Sequence, residues 1–101
     1  MRQATRLIAI ALLAALPATA ATVRGRLVRG RAGAGGIAVT VINPRKVRTA
    51  AVYSGADGMY YIPNVRAGSY TLEVWVKRVR PLEFPIQVRE PQTDVNPINV
   101  P

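Results

Sequence analysis

The sequence contains no histidine and no cysteine, and these two gaps exclude most of the chemistry open to a small protein. Without histidine there is no side chain titrating near neutral pH to act as general base, no imidazole metal ligand and no usual partner for a serine nucleophile. Without cysteine there are no disulfides, thiolate zinc sites or thiol redox centres. Acids are scarce as well: Asp57, Glu73, Glu83, Glu90 and Asp94 are the only carboxylate side chains in 101 residues, and they are scattered. No enzyme, cofactor or metal site is expected from this supply. The opposite charge is plentiful, with Lys+Arg 14 and a formal net charge of +9. The length allows one domain.

Hydrophobic runs are short too. The stretch Leu7 to Leu16 has ten apolar residues, well below the roughly 20 that cross a bilayer as a helix. With Arg2 and Arg6 before it, Pro17 after it and Ala18-Thr19-Ala20 as a small-x-small site, it reads as a signal-peptide helix over residues 1–20, cleaved to leave a domain at 21–101. No Cys follows to carry a lipid, and Arg2 and Arg6 are not adjacent as a twin-arginine signal requires. The expected localisation is therefore periplasmic or secreted, without integral membrane insertion. Cleavage removes two arginines and no acid, so the mature domain stays basic. It has to hold together on a small core without covalent staples.

Helical periodicity is absent beyond Ala21. Apolar and polar residues alternate instead, and Gly, Pro and Asn interrupt the chain every eight to twelve residues, the spacing of an all-β sandwich. Seven strands are predicted, over 22–28, 37–43, 49–54, 59–62, 69–76, 82–88 and 93–100. The first points Val23, Gly25 and Leu27 inward and Arg24 and Arg26 outward. The glycine-rich segment 29–36 is read as an irregular loop, and Asn43-Pro44 as a turn initiator. Ala56-Asp57-Gly58 carries hairpin chemistry, with glycine at a positive φ. Pro63-Asn64 should break the ladder and Val65 return to the core. The clearest alternation is Tyr70, Leu72, Val74 and Val76 inward against Thr71, Glu73 and Trp75 outward. Pro85 and Pro97 mark sheet edges.

The segments Val23-Arg24-Gly25-Arg26-Leu27, Gly36-Ile37-Ala38-Val39-Thr40-Val41, Asp57 through Val65 and Ala67 through Val74 resemble, in order and spacing, the carboxypeptidase regulatory-like domain family. The resemblance covers the whole predicted mature chain. It implies a seven-stranded antiparallel Greek-key sandwich of prealbumin-like topology, found beside metallocarboxypeptidase domains, at the front of outer-membrane receptors and as small exported proteins. It also implies a non-catalytic folding, docking or binding module. One departure is the turn Ser54-Gly55-Ala56-Asp57-Gly58, where the family often carries Thr-Asp before the glycine. In this frame Gly58 and Gly68 turn the chain, while Tyr60, Ile62, Tyr70 and Leu72 fill the core. A tyrosine so placed is expected to bond its hydroxyl to backbone. Purine-pathway hydrolases of related topology use histidines and a Tyr-Arg-Gly-Ser terminus, whereas this sequence ends Pro-Ile-Asn-Val-Pro. The Lys–Asn crosslink of adhesin stalk domains is not expected either, because Lys46 and Lys77 fall in loops.

Two features stand out from the scaffold. One is the basic set: Arg24, Arg26, Arg29 and Arg31, then Arg45, Lys46 and Arg48, then Lys77, Arg78 and Arg80. Arginine forks suit phosphate or carboxylate, although charged strand faces and loops also keep sheets soluble and their edges unpaired. The other is Trp75, outward beside Thr71 and Glu73, a natural anchor for a protein surface or a sugar ring unless arginine stems cover it. The expected function is an exported accessory or binding module that docks on a protein or envelope complex through Trp75, Glu73, Thr71, Arg24, Arg26, Lys77, Arg78 and Arg80. The alternative is a carbohydrate- or polyanion-binding module of the cell envelope, with an acidic glycan or lipopolysaccharide as partner. Nucleic acid is not expected, because no aromatics interleave the basic run.

Overall fold

A computed structural model describes residues 20–101. The export signal expected over 1–20 lies, but for Ala20, outside them. Among the described residues there is no helix, only nine strand segments: β1 (Ala21–Arg29), β2 (Ala32–Gly33), β3 (Ala38–Ile42), β4 (Val52–Tyr53), β5 (Met59–Val65), β6 (Gly68–Trp75), β7 (Leu82–Val88), β8 (Gln92–Asp94) and β9 (Ile98–Asn99). They form two sheets. In the first, β1 is central, with β2 and β5 antiparallel to it and β8 and β9 parallel to it; the second runs β4-β3-β6-β7. The inward residues of both sheets make one core around Val23, Leu27, Val39, Val41, Tyr60, Ile62, Leu72 and Val74. The all-β sandwich read from the alternation is the fold.

Its details depart from the expectation where tertiary partners override local pattern. Seven strands become nine, because Arg29 and Ala32 pair across a tight turn inside the supposedly irregular loop, and Asn96-Pro97 splits the last strand into β8 and β9. Those last two segments run parallel to β1, so the sandwich is not wholly antiparallel. The strand predicted over 49–54 shrinks to Val52–Tyr53, because Thr49 takes over the ladder: its N–H donates to the Val41 carbonyl and its Oγ1 accepts from the Val41 N–H. Pro63-Asn64 makes a register shift rather than a break, and Val65 pairs with Ala21 and is buried as expected. Gly68, at φ 150, ends the turn from β5 and opens β6, opposite Val88.

The turn at Asp57 has the predicted local chemistry. Gly58 has φ 84 and donates to the Gly55 carbonyl, while Asp57 Oδ1 accepts from the Met59 N–H. A side chain at Gly58 would overlap the Leu27 carbonyl. The connection is nevertheless no hairpin, since β4 belongs to one sheet and β5 to the other. Turn residues specify how the chain reverses, and the burial pattern on either side decides which sheet receives it.

One side of the sandwich stays open. β7 pairs only with β6, and between it and the β8–β9 segment lies a cavity of about 450 Å³ where Phe84 and Ile86 face Val95 and Ile98. Phe84 and Ile86 are only half-buried for this reason.

Candidate functional site

The outer face of the second sheet carries a closed polar circuit. Thr40 and Glu73 are direct register partners on β3 and β6. The Trp75 indole Nε1–H donates to Thr40 Oγ1 at 2.8 Å, and the Thr40 hydroxyl donates to Glu73 Oε1 at 2.8 Å. Arg48, from the loop after β3, grips the same carboxylate with both arms, Nε to Oε1 at 2.6 Å and Nη2 to Oε2 at 3.0 Å. Its guanidinium carbon also lies 5.4 Å from the Trp75 ring centroid, within cation–π range. The circuit closes on itself.

Glu73 therefore differs from its expected role. It points outward as the alternation predicts, yet it is only 4% exposed, because Thr40, Trp75 and Arg48 cover it. The Arg48 guanidinium holds its carboxyl below the usual carboxylate range, with help from the Thr40 hydroxyl and against the opposing effect of burial. With both oxygens engaged, such a group braces its neighbours.

The circuit fixes Trp75 from one side. On the other lies a groove of about 510 Å³, within the size range of small-ligand sites. Its long walls are Trp75 and Tyr53, 39% and 68% exposed. Both flank Ala38 in one lateral row, since Ala38 pairs with Tyr53 on one side and with Trp75 on the other. Two strand spacings put their backbones about 9.5 Å apart. Arg29, Lys77 and the Gly35–Gly36 segment complete the rim.

Ser54, next to Tyr53, holds that segment in place. Its hydroxyl donates to the Ala34 carbonyl at 2.7 Å and accepts from the Ile37 N–H at 3.0 Å, while its carbonyl accepts from the Gly36 N–H at 2.8 Å. The short β4 and the glycine loop are thus one unit.

The residues expected to bind together are divided by the fold. Trp75 and Lys77 share the groove. Arg78 and Arg80 are exposed on the β6–β7 connection that begins there. Thr71 lies further along β6, in a separate depression with Lys46, Arg48 and Glu83. Arg24 and Arg26 sit on β1, in the opposite sheet, where Arg24 pairs with Asp94 at 2.6 Å and Arg26 donates to the Asp57 carbonyl at 2.9 Å. The sequence reading missed Tyr53, Thr40 and Ala38 altogether. Their only signal is the register that seats Ala38 between two aromatics, and register between distant strands is not written locally.

Among the described residues no group of three or more acids stands close enough to hold a metal ion. No described helix is long and apolar enough to cross a membrane.

Solved structures resemble this fold at low sequence identity. The 5-hydroxyisourate hydrolase of Klebsiella pneumoniae superposes with a TM-score of 0.60 at 14% identity, covering 78% of this chain and 90% of that one. A DUF3823 family protein from Parabacteroides merdae superposes with a TM-score of 0.57 at 15% identity, covering 79% of this chain and 45% of the other. At such identities the likeness establishes the prealbumin-like fold alone. No curated protein sequence matches the chain. The family of carboxypeptidase regulatory-like domains matches residues 22–100, and with the fold and motifs in agreement the chain belongs to that family, a non-catalytic module type.

Proposed function

We propose that this protein is an exported, non-catalytic binding module that docks on a component of the cell envelope through the Tyr53–Trp75 groove. The observation that carries this reading is Trp75 itself, an indole pinned by its N–H and by Arg48 yet left 39% exposed on its other side. A surface tryptophan held in one orientation loses little side-chain entropy when something settles on it. Absent histidine and cysteine, and a Glu73 held by Arg48 and Thr40, support a role without catalysis.

The test separates the two faces of the sandwich. The full chain, expressed with residues 1–20 and purified as the cell delivers it, is immobilised and exposed to a detergent-solubilised envelope extract. Retention should be lost with Tyr53→Ala or Trp75→Ala and kept with the double change Arg24→Ala and Arg26→Ala. Circular dichroism checks that each variant is folded. Retention that survives the groove variants and disappears with the arginine pair would overturn this reading.

A further inference from the structure

We infer that the groove takes an acidic oligosaccharide, a chain of sugar rings carrying carboxylates, with one ring seated over Ala38 between Tyr53 and Trp75. This rests on the reading of that groove as the binding site and adds the chemistry of what fills it.

Three observations converge. The first is shape: two aromatic side chains rise on either side of the smallest chiral residue, in a row about 9.5 Å wide at the backbone. Such a trough accepts a saturated ring, whose C–H faces pack on aromatic faces, and Ala38 leaves the floor open. The second is charge. The groove rim holds Arg29 and Lys77, and the two connections that meet there also carry Arg31, Arg78 and Arg80 with no acid on either. The only ion pairs among the described residues are Arg24–Asp94 and Arg48–Glu73, so none of these five cations is paired with an Asp or Glu side chain. Arg29 Nε donates to the main-chain oxygen of Pro101, the last residue of the sequence, at 3.1 Å, which orients the guanidinium and leaves its other N–H groups for a ligand.

The third observation is what the ligand does not need to supply. Arg48 and Glu73, the charged pair nearest Trp75, satisfy each other. Net attraction for an anion therefore comes from one end of the groove, where Arg29 and Lys77 stand. Flat contact in the trough and charge at its end describe a ligand with both a ring and a carboxylate per unit. A protein surface would be expected to find a broader apolar patch, and a bare polyanion would have no use for the aromatic pair.

The protein contains a single tryptophan, so its fluorescence reports this groove and nothing else. The probes are a tetramer of galacturonic acid, a neutral galactose tetramer, and an oligothymidylate of equal charge, each titrated into the full chain. The uronate tetramer should shift Trp75 emission and bind at least tenfold more tightly than either control. Tyr53→Ala should weaken it tenfold or more. Lys77→Gln, or a rise in salt from 0.1 to 0.5 M, should weaken it several-fold through lost charge attraction. Calorimetry follows Trp75→Ala, which removes the reporter, and circular dichroism confirms that each variant keeps its strands.

Neutral sugar bound as well as uronate would overturn the anionic assignment, and oligothymidylate bound as well would overturn the sugar. Uronate binding indifferent to Tyr53 would place it elsewhere on the basic surface and overturn the inference. If no probe binds while envelope capture still depends on Tyr53 and Trp75, the ligand class is wrong and the docking site stands. If capture is also indifferent to both residues, the two readings fall together.

Discussion

Tyr60 is the residue whose chemistry is least satisfied. Its side chain is 1% exposed, and its hydroxyl finds no hydrogen-bond partner, contrary to the expectation of a bond to backbone. The cause is Gly25, its register partner on β1: the ring lies over the bare glycine, and a side chain there would overlap the phenol. The aromatic surface fills what glycine leaves empty, and the hydroxyl is carried along. Tyr60→Phe should therefore stabilise the fold, by about 1 kcal/mol, since it removes a desolvated polar group and keeps the packing. Burial also pushes the Tyr60 phenol up to about 12. Because the folded value lies above the unfolded value of about 10, stability is intact below pH 10 and declines as pH rises towards 12, by about 1.4 kcal/mol per unit. Urea melts of the two proteins across that range check both points: the wild type should fall more steeply than Tyr60→Phe.

Glu73 gives the opposite sign at the acid end. Its folded value is lowered, chiefly by Arg48, so its contribution is complete above the ordinary carboxylate value of about 4.3 and is lost as pH falls below it. Arg48→Ala should cost about 1–3 kcal/mol, because a buried carboxylate loses its principal partner. It should also weaken this acid dependence and alter Trp75 emission as the stacked guanidinium disappears. Melts at pH 7 and pH 3 with a fluorescence readout measure all three effects. An unchanged spectrum would mean that Arg48 does not rest on the indole in solution.

At the scale of elements, β7 exposes an unpaired edge, and Pro85 sits at its midpoint opposite Thr71. Proline has no N–H, so it fits the β6–β7 ladder only where that group would face outward. It therefore deletes a donor from the free edge and blunts pairing with another chain. Pro85→Thr should restore the donor and promote self-association at high protein concentration, visible as a rising mass by light scattering. A variant that stays as monodisperse as the parent would deny the proline this role.

Elements also show what could be read in advance. The alternation along β6, the Asn43 turn and the Gly58 corner are local, and each was legible because neighbouring residues decide it. Asn43 Oδ1 accepts from the N–H groups of Arg45 and Val47, as an Asx turn does. The burial of Glu73 was not legible, because its main partner lies 25 positions away. Nor was the Tyr53–Trp75 groove, which exists only once β3 comes between β4 and β6. The basic surface was visible as composition, but its division between two faces depends on which sheet receives β1.

For the whole molecule, the central position of β1 sets an order of events. The first strand to leave a ribosome or a translocation channel is the one that needs the last to cover it: Thr22, Val23 and Arg24 pair with Gln92, Thr93 and Asp94, and Leu27 with Ile98. Contacts so distant in sequence form late, after the intervening chain has been ordered. Chains stopped at residue 90 should thus remain open to protease, while the full chain resists it. A protein threaded through a membrane unfolded is served by this arrangement. If the chain is exported as proposed, it would not close before β8 and β9 arrive, and their arrival would release it to fold beyond the membrane.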